Sequence, residues 1–105
     1  MPDNKLDQLQ TMLARQPGDA FLLYALGMEH KKLGALDPAI DFYSRTIEVD
    51  PNYCYAYYQR GQSFEQKGDA ASAKQSYQAG IEAAIRAKDD HAKSELEAAL
   101  QMLES

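Results

Sequence analysis

The sequence predicts an all-α chain, an α-solenoid of about six helices stacked as antiparallel pairs. Sliding the chain against itself by 34 residues places Pro17 on Pro51, Gly27 on Gly61, Gly34 on Gly68, Ala39 on Ala73, Tyr43 on Tyr77 and Ile47 on Ile81. Between these marks apolar residues recur at three- and four-residue steps, the period of a helix face. Glycines, prolines and capping residues fall where such helices would begin and end. Within residues 53–64, Tyr53, Tyr55 and Tyr57 alternate in a way that suits a strand. The longer register overrules that local signal.

Leu6, Leu9, Met12 and Leu13 form one apolar stripe, so residues 4–16 contain a first helix, ended by Pro17-Gly18. Asp19 offers a side-chain oxygen to the free amides of a second helix over about 20–33, and Gly34 stops it by turning left-handed. Asp37-Pro38 reads as a cap followed by a first-turn proline, opening a third helix to about Val49. Pro51-Asn52 repeats the turn, and a fourth helix over about 53–67 stops at Gly68. Asp69-Ala70-Ala71-Ser72 starts the fifth. The register would put a proline at position 85, but Ile85 stands there, and Ile81, Ala84, Ile85 and Lys88 carry the helix onward. Asp89-Asp90 supplies the next cap, and Leu96, Ala99, Leu100 and Leu103 stripe a last helix. With neither Gly nor Pro near Asp89, both a break and a kink fit.

A chain of 105 residues is a single domain, residues 1–105, able to bury roughly 65% of its unfolded surface. Its net charge of -5 disfavours nucleic acid and anionic membranes, which need a basic face. The lone Cys54 makes neither an internal disulfide nor a metal set and suits a small helix residue in a reducing compartment. No stretch approaches about 20 apolar residues and the N-terminus lacks a signal-peptide core, so cytoplasmic residence is the expectation. His30 and His91 have no companions, and no glycine loop cradles a phosphate. No enzyme, cofactor or metal site is therefore expected.

At its repeated residues the chain resembles the tetratricopeptide repeat family, whose unit reads W-x2-L-G-x2-Y, A-x3-F, P. The first copy is Leu23-x2-Leu26-Gly27-x2-His30, Ala39-x3-Tyr43 and Pro51; the second is Tyr57-x2-Arg60-Gly61-x2-Phe64 and Ala73-x3-Tyr77. The resemblance implies a right-handed stack with repeats at 20–53 and 54–87, a first helix (4–16) like half a repeat, and a capping helix at 88–105. Gly27 and Gly61 let paired helices approach, Ala39 and Ala73 do the same from the partner helix, and large residues fill the rest. Leu23, His30 and Arg60 depart from the pattern. His30 fits a satisfied packing residue. Arg60 has two readings: a snorkelling side chain paired with Glu95 or Glu97, or a cation edging a binding surface.

At about 100° per residue, Tyr57, Gly61 and Phe64 share one face of the fourth helix, while Tyr55, Tyr58, Gln62, Glu65 and Gln66 share another. In the second helix the packed set is Leu23, Gly27 and His30, and the other is Phe21, Tyr24, Met28, Lys31 and Lys32. The resemblance implies that these second sets line a concave groove that takes a segment of a protein partner. The expected lining is Phe21, Tyr24, Met28, Lys31, Lys32, Tyr55, Tyr58, Gln62 and Gln66, with Arg60 as a groove-edge charge. Tyr24 and Met28 stand where a Lys and Asn pair would grip a chaperone's C-terminal carboxylate, so that clamp is not expected. Alternatively a terminal helix folds over the stripe and makes it core, or the chain self-associates through Leu6, Leu9 and Leu13 or through Leu96, Leu100 and Leu103. Glu95, Glu97, Gln101 and Glu104 give the last helix a polar outer face, which favours a monomeric, capped module.

Overall fold

The computed structural model describes residues 4–105; the first three residues of the expected 1–105 domain lie outside the described residues. Six helices occupy them: α1 (Lys5–Arg15), α2 (Ala20–Lys32), α3 (Leu36–Val49), α4 (Cys54–Lys67), α5 (Ala70–Ala87) and α6 (Asp90–Glu104). Among the described residues there is no strand, and no helix is long and apolar enough to cross a membrane.

Local chemistry sets most of the ends. Asn4, Asp19, Asp69 and Asp89 each accept a hydrogen bond from the amide three residues on, and Gly34 and Gly68 take positive φ of 79° and 86°. The break before α6 is made by Lys88, which adopts the left-handed conformation at φ 56°. Asp37 does not serve as the expected cap. α3 begins at Leu36, with Ala35 as its uncapped entry, and the Asp37 carboxylate instead meets Lys67 Nζ at 2.5 Å.

Each helix packs on its neighbours in the chain. In addition α2 touches α4 and α4 touches α6, whereas α3 and α5 do not meet. The stack therefore curves, with α2, α4 and α6 side by side on the inner layer and α3 and α5 splayed on the outer one. α6 continues the inner layer instead of crossing it.

The packing unit is a ring seated on a glycine. Tyr43 and Tyr77 are fully buried. A Cβ added at Gly27 would lie 2.5 Å from Tyr43 Cε1, and one at Gly61 would collide with the Tyr77 ring in the same way. Gly80 is a third such site, unforeseen from the sequence: its Cβ would meet Tyr57 Cβ at 2.7 Å and Leu96 Cδ2 at 2.8 Å, so α5 lies close to both α4 and α6. At the other end Leu9 packs against Leu22 and Leu26, which holds α1 to α2. Gly61→Ala is expected to lower the unfolding free energy by about 1–3 kcal/mol in a urea titration, despite alanine's better helix propensity. Gly18→Ala, with open space around it, should leave the midpoint unchanged.

The N-caps of α4 and α6, Tyr53 and Asp89, set Gly61 against Glu97. Glu97 pairs with Lys93 at 3.6 Å.

Candidate functional site

The inner layer brings together two clusters from the expected groove. Toward α1, Phe21 (64% exposed) and Met28 (39% exposed) flank the half-buried Tyr24. With Lys5, Ala25, Glu29 and Lys32 they line a cavity of about 380 Å³. The core fixes its floor: the Tyr43 hydroxyl donates to Met28 Sδ at 3.3 Å, and the Tyr24 ring lies 4.9 Å from Tyr53 and 5.8 Å from Tyr43. Lys32 is exposed and stays 3.9 Å from Glu29.

The second cluster spans α2 and α4. Lys31 Nζ donates to Gln59 Oε1 at 2.6 Å and to Gln62 Oε1 at 2.8 Å, and Gln62 Nε2 donates to the Tyr58 hydroxyl at 3.2 Å. Burial lowers the pKa of the Lys31 ammonium. Tyr58 packs edge-on against Tyr55 at 6.4 Å and lies 6.2 Å from Tyr77. The Tyr55 hydroxyl donates to Glu95 Oε1 at 2.7 Å, and that bond pushes its phenol pKa up to about 12. Gln66 sits farther along α4, beside Gln62 and Glu65 at a smaller cavity of about 200 Å³.

Arg60 is placed elsewhere. Its guanidinium donates to Ser76 Oγ at 3.1 Å and Ser44 Oγ at 3.3 Å, between α5 and α3, and lies 5.7 Å from the Tyr57 ring centroid. The expected pairing with Glu95 or Glu97 is not made, since Glu95 bonds Tyr55 and Glu97 pairs with Lys93. Arg60 is about 160° around α4 from Tyr58 and Gln62, on the outer side rather than at the groove edge. His30 stacks on Phe42 at 5.4 Å, a packing role. Cys54 is buried at the start of α4, where burial raises its thiol pKa.

Gln59, Tyr53 and Glu95 belong to this surface and were missed by sequence reasoning. Gln59 had a usable signal, since it precedes Gln62 by three positions and shares its helix face. Tyr53 fell at a helix boundary, and Glu95 comes from a helix whose rotation the sequence leaves free.

Residues 20–53 and residues 42–75 each match a family model of the tetratricopeptide repeat. A TPR repeat-containing protein of Pseudomonas aeruginosa is 28% identical over 99 residues, which cover 94% of each chain. The solution structure of a tetratricopeptide repeat domain protein from Salinibacter ruber is 33% identical over 84% of this chain and 89% of its own, with a TM-score of 0.78. The TPR2B domain of yeast Sti1, solved as a complex with pHsp70, superimposes with a TM-score of 0.88 at 21% identity, over 94% of this chain and 79% of its own.

Proposed function

Because the chain belongs to the tetratricopeptide repeat family, we propose that it is a non-catalytic interaction module whose inner face binds a segment of a partner protein. The observation that carries this is the exposure of Phe21 and Met28 beside Tyr24, contiguous with Tyr55, Tyr58, Lys31, Lys32, Gln62 and Gln66 on the curved side of the stack. Tyrosine gives rigid contact area with a polar tip, and methionine adapts to what it meets. The Sti1 domain, which shares the fold, is itself solved with a partner. Glu97 in the glycine position of α6 disfavours the alternative of a second copy extending the stack.

Peptides selected from a random library test this when mapped by amide chemical shifts. Perturbations should concentrate on α2 and α4 at Phe21, Tyr24, Met28, Tyr58 and Gln62. Tyr58→Ala should weaken the selected peptides about tenfold while the protein stays folded. Binding that maps to α3 and α5 would sink the proposal.

A further inference from the structure

Lys31 differs from the lysines that are held in ion pairs on this molecule. Lys32, Lys67, Lys74 and Lys93 each lie within ion-pair distance of a carboxylate. Lys31 has no such partner among the described residues; its contacts are the neutral amide oxygens of Gln59 and Gln62. Those two bonds use two of the three ammonium donors and leave the charge uncompensated. The amides are held in turn, Gln62 by the Tyr58 hydroxyl at 3.2 Å, so the cation is fixed between α2 and α4. It lies one turn beyond Met28, along the same face as the cavity that Phe21, Tyr24 and Met28 border.

Geometry sets the spacing of what could bind. Ala25, on the wall of that cavity, lies six positions before Lys31, a rise of about 9 Å along the helix. An extended peptide covers that distance in about three residues. Of the other cations at the cavity, Lys32 stays with Glu29 and Lys5 stands on α1, while Tyr24 and Met28 bring none. One remaining donor meets a single carboxylate, as an Asp or Glu side chain within a chain supplies.

Resting on the peptide-binding role proposed above, we propose that the groove selects an internal segment of a partner protein that carries Asp or Glu about three residues from an apolar side chain. The carboxylate meets Lys31 Nζ and the apolar side chain enters the cavity bordered by Phe21, Tyr24 and Met28.

Random peptides displayed as an internal loop, with no free C-terminus, are panned on the wild-type protein and on Lys31→Gln, after thermal unfolding has shown both to be folded. Wild type should enrich an acidic residue at that spacing from an apolar one. Lys31→Gln should lose the acidic preference and keep the apolar one, and Lys31→Arg should restore it. A selected peptide should bind Lys31→Gln about tenfold more weakly, and its Glu→Gln counterpart should bind both proteins equally. Peptides without an acidic position, an acidic preference that persists on Lys31→Gln, or binding only through a free C-terminal carboxylate would overturn this inference and leave the groove in place. Recovery of no peptide sensitive to Tyr58→Ala would overturn both.

Discussion

Tyr77→Ala is expected to lower the unfolding free energy by about 3–5 kcal/mol, a large part of the roughly 5–15 kcal/mol that holds a domain of this kind together. The ring is fully buried and seated on Gly61, so its removal empties the joint between α4 and α5 instead of trimming a surface. Its hydroxyl donates to the Glu65 carboxylate, and burial, followed by that acidic partner, raises the phenol pKa. Tyr77→Phe keeps the ring and loses only this bond, so it should cost about 1 kcal/mol. Urea unfolding followed by circular dichroism separates the two variants. A Tyr77→Ala protein as stable as Tyr77→Phe would show that the ring does not hold the joint.

Tyr57→Ala is expected to cost about 3 kcal/mol in the same measurement. Tyr57 is 5% exposed, its Cβ sits against the Gly80 backbone, and its hydroxyl donates to the Pro51 carbonyl oxygen at 2.7 Å. That carbonyl also accepts from Arg86 Nη2 at 3.0 Å, so the extended end of α5 and the start of α4 are fastened to the same turn. Tyr58, the next residue, is half-buried on the inner layer and should cost much less when truncated. Equal losses at Tyr57 and Tyr58 would reject the assignment of these neighbours to different faces.

Most helix ends were legible because they are decided within a few residues, by an aspartate before the first turn or a glycine after the last. Asp37 misled because the chain turns at Gly34 and is already helical at Leu36, leaving that carboxylate to a lysine 30 residues away. The break at Lys88 was hidden because a left-handed lysine carries no compositional mark. Gly80 was invisible to the register, since its counterpart is the buried Thr46 rather than another glycine.

The two faces of α2 and α4 could be read from helical periodicity. The pairings across them could not. Lys31 reaches Gln59 over 28 residues and Tyr55 reaches Glu95 over 40, distances at which rotation and tilt of whole helices choose the partner. Arg60 shows the same limit, with a guanidinium the sequence could assign to either side and packing sends outward to Ser44 and Ser76.

The succession of contacts from each helix to the next has a kinetic consequence. Every joint between successive helices can form by closing a short loop, so the entropy lost before such a contact is gained stays small at each step. Low contact order of this kind favours rapid folding, on the microsecond-to-millisecond scale typical of helical proteins. The chain can assemble by adding one helix at a time to whichever pair forms first, without waiting for its two ends to find each other.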